Sequence, residues 1–109
     1  MLEHGFVRVA AGLPALRVAH CSYNAERLLA LLEQAEGQGV HVLVFPELGL
    51  TGYTCGDLFQ QPALHRAAQD ALAWLLEQSR SVYSGMFVVG LPWRIGDFLY
   101  NTTAVAQGG

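Results

Sequence analysis

The sequence contains no lysine: its six cations are all arginines, set against nine acidic side chains. A formal charge of -3 leaves no basic patch to release counterions, so neither nucleic acid nor a membrane surface is an expected partner. Cysteine is scarce too. Cys21 and Cys55 are too few for a disulfide framework, and neither belongs to a CxxC pair. No stretch approaches the roughly 18 to 20 apolar residues that cross a bilayer. Residues 1–18 lack the charged start, long apolar segment and small-residue cleavage site of a secretory signal, so a cytoplasmic protein is expected. The phosphate-cradling patterns GxGxxG and GxxxxGK[ST] are absent. His4, His20, His41 and His65 have no metal-ligand spacing, which favours surface or satisfied core positions. With 14% of residues charged and 52% hydrophobic, there is little material for a disordered tail and ample material for a core. No solenoid-length repeat or low-complexity tract interrupts the 109 residues, enough for one domain or part of one.

What the sequence does hold is concentrated in residues 40–59, VHVLVFPELGLTGYTCGDLF. Val42, Leu43, Val44 and Phe45 form an unbroken apolar run, the pattern of a strand buried on both faces in a parallel or mixed sheet. Pro46 has no N–H to donate and ends the ladder. Glu47 therefore falls just past the strand end, where open α/β sheets place their chemistry. Burying a carboxylate there without a partner costs on the order of several kcal/mol, which leaves two readings of Glu47. It is a catalytic acid/base, or an anchor accepting backbone N–H groups. Gly49, Gly52 and Gly56 punctuate the loop that follows and let backbone approach closely around a cavity.

The flanking segments alternate strand and helix. Residues 6–11 read as a first strand, after which Gly12, Pro14 and the apolar residues 16–19 cross the sheet edge. Asn24 reads as the N-cap of a helix whose Ala25, Leu28, Leu29 and Leu32 keep one apolar stripe, with Gly37 and Gly39 stopping it. Pro62 suits the first position of a second helix, with Leu64, Ala68, Ala71, Leu72 and Leu75 at helical spacing and Trp74 and Leu76 widening the apolar face. Residues 79–85 turn the chain into a second apolar strand, 86–91, which Pro92 is expected to end. Gly96 and Asp97 are a hairpin turn pair, so the last segment, 98–106, is expected to pair antiparallel. Gly108 and Gly109 look like a further turn in mid-sheet. A hairpin there with no covering helix leaves an open edge and a bare apolar face, so the chain is expected to be a fragment of a larger domain.

Covalent amide hydrolysis needs a nucleophile, a base and a donor for the tetrahedral oxyanion. Cys21 adjoins His20, but neighbours on an extended segment point to opposite faces and cannot act as a couple. Cys55, in the Gly-flanked loop, could line a pocket, although such a cysteine is more often a small buried hydrophobe. For Tyr53 and Asp57 the simpler readings are a packed ring and a loop-capping carboxylate, and for Asp57 the simpler one is preferred.

Phe45-Pro46-Glu47-Leu48, followed by Leu50-Thr51-Gly52-Tyr53, resembles the nitrilase (carbon-nitrogen hydrolase) superfamily. The continuation Thr54-Cys55-Gly56-Asp57-Leu58-Phe59 looks like the amino-terminal glutaminase domain of the glutamine-dependent NAD synthetases. Asn24-Ala25-Glu26, Val89-Gly90-Leu91-Pro92 and Leu99-Tyr100-Asn101-Thr102-Thr103 fit the same domain in the same order. The resemblance implies an α/β fold: a partial αββα sandwich running strand-helix-strand-helix-strand-hairpin, incomplete at its carboxy terminus. Residues 1–109 would be the amino-terminal part of the hydrolase domain, with the synthetase domain outside this chain. It also implies a Glu-Lys-Cys triad. Glu47 matches the glutamate, general base toward the cysteine and then acid toward leaving ammonia, and Tyr53 matches a position lining the glutamine pocket. Cys55 does not match the nucleophile, which, like the lysine, lies further along in the family pattern. A lone carboxylate supplies base catalysis of about 10²- to 10⁴-fold but neither covalent nor oxyanion stabilisation, so the 109 residues alone are expected to be inactive.

For the parent protein, the resemblance implies glutamine and nicotinic acid adenine dinucleotide as substrates, ATP and magnesium as cofactors of the synthetase domain, and a homo-oligomer. No cofactor is expected on this chain itself. Two alternatives stay open. One is a stand-alone nitrilase-type amidase for a small amide, distinguished by the absence of an SGGxDS-type loop further along. The other is a non-catalytic remnant that pairs its open sheet with a partner chain.

Overall fold

A computed structural model of the chain describes residues 5–52 and 56–108. Strand β1 (Val9–Ala11) leads into helix α1 (Cys21–Gly37), strand β2 (Val42–Val44), a 3-10 turn (Gly56–Gln60), helix α2 (Pro62–Ser79) and the hairpin of β3 (Met86–Ile95) and β4 (Phe98–Gln107). The sheet order is β1-β2-β3-β4, with the first three strands parallel and β4 antiparallel to β3. Parallel neighbours require crossovers, and α1 and α2 supply them while packing against each other on one sheet face. The expected α/β order of strand, helix, strand, helix, strand and hairpin is thus observed.

Strand register decides which residues reach the core. Ala10, Leu43, Phe87 and Ala106 form one row across the sheet and face the helices, with Leu43 and Phe87 only 3% and 1% exposed. The next row, Ala11, Val44, Val88 and Val105, lies on the other face, where Val44 is 43% and Val105 62% exposed. The expectation that residues 42–45 are buried on both faces is therefore corrected. Side chains alternate along a strand, so Leu43 and Phe45 meet the helices while Val44 meets no covering layer among the described residues.

Of the stripes read from the sequence, α1 buries Ala25, Leu28 and Leu32 and α2 buries Leu64, Ala68, Ala71 and Leu75, while Leu29 and Leu72 are half-buried at the core's edge and Ala35 joins the buried set. Pro62 opens α2 as expected, because its missing N–H is one the first helical turn leaves unpaired anyway. Trp74 stays 38% exposed at the edge of that face. Past the end of α1, Gly39 takes φ +68, a backbone conformation that glycine adopts without penalty.

Four further expectations are corrected. The first strand spans Val9–Ala11 rather than 6–11, since the His41 imidazole Nδ1, not a ladder carbonyl, accepts the Arg8 N–H at 2.8 Å. His20, not Asn24, precedes the first turn of α1, and Asn24 lies inside the helix, fully buried. His20 and Cys21 are consequently not on an extended segment; Cys21 opens the helix and packs into the core at 3% exposure. Finally, Pro92 does not end β3, which runs on to Ile95. Val88 and Gly90 accept bonds from Phe45 and Leu50, so even-numbered backbone groups of β3 face the β2 side. Pro92 shares that parity beyond the end of β2, and its missing N–H costs the ladder with β4 nothing. The hairpin closes at Gly96, φ +60, with Ile95 opposite Phe98, as the Gly-Asp pair predicts.

Candidate active site

Past β2 the ladder continues one residue, with the Phe45 N–H donating to the Val88 carbonyl at 3.0 Å and the Phe45 ring edge-on to Phe87 at 6.4 Å. Pro46 then turns the chain over β3. Within the turn at 47–50, Leu48 adopts φ 53, a left-handed conformation that costs a leucine roughly 1 kcal/mol. Its carbonyl accepts the N–H groups of Thr51 and Gly52 at 3.2 and 2.8 Å, and the Leu50 N–H donates to the Gly90 carbonyl at 3.1 Å. The turn lies directly on β3: a Cβ added at Gly90 would sit 2.5 Å from the Leu48 nitrogen. Only glycine admits that approach.

Residues 48–52 are all buried, whereas Glu47 is exposed. The turn thus presents one carboxylate past the carboxy-terminal end of the parallel strands. Because Glu47 is exposed, the burial cost argued from the sequence does not arise. Among the described residues no N–H group donates to it, so the anchor reading gains no support there.

A second loop packs against this turn. Ala19, φ 58, donates its N–H to the Thr51 carbonyl at 2.7 Å, and a Cβ at Gly52, φ +87, would meet the Val18 Cα at 3.3 Å. Residues 16–19, expected to cross the sheet edge, form this loop instead, because their backbone is held by Thr51 and by Asn24. The Asn24 amide accepts the Arg17 N–H at 2.7 Å and donates to the Arg17 and Leu50 carbonyls at 2.8 and 3.0 Å. On the outer side of the loop the Arg17 guanidinium covers the Tyr23 ring at 4.0 Å, and His20 packs against the same ring.

Of the residues singled out in the sequence, Glu47 is placed at the strand end; Tyr53, Cys55 and the side chain of Asp57 lie outside the described residues. His65 and His41 have structural partners, His65 Nε2 lying 2.6 Å from the Phe59 carbonyl. Among the described residues no three His, Cys, Asp or Glu side chains converge as a metal-binding set. An open groove of about 1130 Å³ lies at the opposite end of the sheet, beside Arg8, Glu36, His41 and Ser84. There the Glu36 carboxylate accepts the Ser84 N–H at 2.8 Å and its hydroxyl at 2.9 Å, which hold it below the usual carboxylate range. Burial, and then the Glu36 charge, push the Tyr83 phenol up, while its hydroxyl donates to the Val40 carbonyl at 2.8 Å.

Residues 8–108 match the carbon-nitrogen hydrolase family. The chain belongs to that family. The carbon-nitrogen hydrolase segment is 36% identical over 107 residues to a glutamine-dependent NAD(+) synthetase of Mycobacterium tuberculosis, covering 98% of this chain. It superimposes with a TM-score of 0.80 and 26% identity on the glutamine-dependent NAD(+) synthetase from Cytophaga hutchinsonii, over 94% of this chain and 17% of that one. An amidase from Nesterenkonia sp., at TM-score 0.75 and 22% identity over 94% of this chain and 38% of that one, shares the fold. The carbon-nitrogen hydrolase segment spans 16% of the length of the mycobacterial relative. No helix among its described residues is long and apolar enough to cross a membrane.

Sequence reasoning missed Asn24 as a bridging amide and Gly90 as the floor of the turn. For Asn24 a signal was available: at one turn before Leu28 it lies on the apolar stripe of α1, where an amide must find buried partners. Gly90 gave none, since nothing local shows which backbone will lie on it.

Proposed function

We propose that this segment supplies the general base of a glutaminase site: Glu47 takes the proton of a cysteine thiol as it attacks the side-chain amide of glutamine, then returns it to the departing ammonia. The ammonia serves the ATP-dependent amidation of nicotinic acid adenine dinucleotide to NAD in a longer parent protein. The observation carrying this reading is the exposed Glu47 carboxylate on a turn fixed to β3, in a chain 36% identical to a glutamine-dependent NAD(+) synthetase. Open α/β sheets place reacting groups at this end of the strands. The segment has no lysine, and the reading assigns no nucleophile to Cys21, which is buried in the core. The nucleophile and oxyanion donor are therefore assigned to the remaining length of the parent, as are ATP and magnesium. Tyr53 is assigned to the glutamine pocket, and the parent is assigned a homo-oligomeric state.

Glu47→Gln in the full-length parent tests the reading. Glutamine-dependent NAD formation is expected to fall at least about 10²-fold, the usual contribution of a positioned base, while synthesis from free ammonia stays unchanged. Glutamine-dependent synthesis at the wild-type rate would remove Glu47 from the mechanism.

A further inference from the structure

The turn that carries Glu47 is held from two directions, and only one of them belongs to the sheet. The Leu50 N–H is fixed by the Gly90 carbonyl of β3 at 3.1 Å, and the Leu50 carbonyl by Asn24 Nδ2 of α1 at 3.0 Å. The same amide holds both backbone groups of Arg17, in the loop that is itself bonded to Thr51 through Ala19. Asn24 is fully buried, and its orientation follows from its partners. Its oxygen faces the one N–H and its two N–H groups face the two carbonyls; the reversed amide would set oxygen against oxygen twice. No other side chain of this length offers one acceptor and two donors. Aspartate would bring a charge against two carbonyls, and alanine would leave the Arg17 N–H and the buried Leu50 carbonyl without this partner, the Arg17 carbonyl keeping only the His20 N–H at 3.2 Å.

We infer that Asn24 is a positioning residue for Glu47, acting through the Leu50 carbonyl to fix the turn against α1. The inference rests on the assignment of Glu47 as the base. With the amide gone, the turn keeps its bonds to Gly90 and, through Thr51, to Ala19, but loses its tie to α1, and the loop behind it loses its anchor at Arg17. Displacement of a reacting group by about 1 Å costs on the order of 10²-fold in rate. A residue needed only for folding would instead reduce the number of working sites and leave each at full speed.

The test uses Asn24→Ala and Asn24→Ser in the full-length parent, with sites counted by covalent titration to completion with a diazoketone analogue of glutamine. Expected for Asn24→Ala is a glutamine-dependent kcat per titrated site lower by roughly 10- to 100-fold. KM for glutamine and the ammonia-dependent rate should hold near wild type, with a smaller loss for Asn24→Ser, whose hydroxyl can serve one carbonyl. A wild-type kcat per site in Asn24→Ala overturns the inference, even when fewer sites titrate. Should Asn24→Ala not accumulate, Asn24→Ser decides by the same criterion. Glu47→Gln is measured alongside: an active Glu47→Gln overturns the assignment of the base and this inference with it. An inactive Glu47→Gln beside Asn24 variants of normal per-site rate overturns this inference alone.

Discussion

Gly90→Ala is the sharpest perturbation of the Glu47 turn, because its magnitude follows from backbone geometry. The added Cβ would lie 2.5 Å from the Leu48 nitrogen and 3.3 Å from both the Glu47 carbonyl carbon and the Leu48 Cα. All three are main-chain atoms, so no rotamer change relieves the clash. Restoring ordinary contact requires the Leu48 nitrogen to retreat by about 1 Å, against the 3.1 Å bond from Leu50 to the Gly90 carbonyl. Overpacking of this kind costs about 1–3 kcal/mol of stability. The same 1 Å shift of Glu47 is expected to lower glutamine-dependent kcat on the order of 10²-fold in the full-length parent. Gly85→Ala is the control, since its Cβ would clash as severely, at 2.6 Å from the His41 carbonyl and the Tyr83 hydroxyl, but at the opposite end of the sheet. Denaturant unfolding should show comparable losses for the two variants, whereas kcat per folded site should fall only in Gly90→Ala. Equal per-site activity in both would refute the claim that Gly90 sets the position of Glu47.

Two pH dependences follow from the other end of the molecule. Burial raises the Tyr83 phenol above its ordinary value, so the stabilisation it carries is complete below the usual phenol range and is lost as pH rises through the raised value. Tyr83→Phe should therefore flatten the alkaline limb of a stability profile, and an unchanged limb would count against the assignment. The Glu36 carboxyl is lowered by the Ser84 N–H first and the Ser84 hydroxyl second, so its contribution is present above the ordinary carboxylate range and lost as pH falls through the lowered value. In Ser84→Ala the backbone bond survives, and an NMR titration should find Glu36 moved only part of the way back to the ordinary value; full return would show that the hydroxyl dominates.

The helical stripes were legible because they depend on a period of 3.6, as at Ala25, Leu28 and Leu32, and the layer order because apolar strand runs alternate with those helices. Pro46 before Glu47 was legible for the same local reason. Burial on both faces was misjudged at Val44 because an apolar run reports that a face can be covered, not that these residues cover it. Pro92 was misread because the harm a proline does depends on which neighbour its N–H would have met, and that depends on where β2 ends. Asn24 was read as a cap because amides favour helix starts, while its partners, Arg17 and Leu50, lie 7 and 26 residues away.

These misses share a cause that bears on how the site is built. Among the described residues the Glu47 side chain touches no hydrogen-bonding partner, so its placement is inherited from the main chain of residues 45–52. That main chain is fixed by peptide groups of β3 at Val88 and Gly90, by the Asn24 amide, and by Ala19 from the adjoining loop. The turn is further committed by the left-handed Leu48, whose conformation is held by the Thr51 and Gly52 N–H groups on its carbonyl and by the close seat of its nitrogen on Gly90. In such an arrangement most side chains around the turn are free to vary at constant volume. The intolerant positions are those where a side-chain atom is forbidden, as at Gly90, or where an amide stands in for backbone, as at Asn24. An exposed carboxylate on a turn so held can meet a nucleophile delivered from elsewhere without itself having to reorganise, which is what the proposed general-base role of Glu47 asks of it.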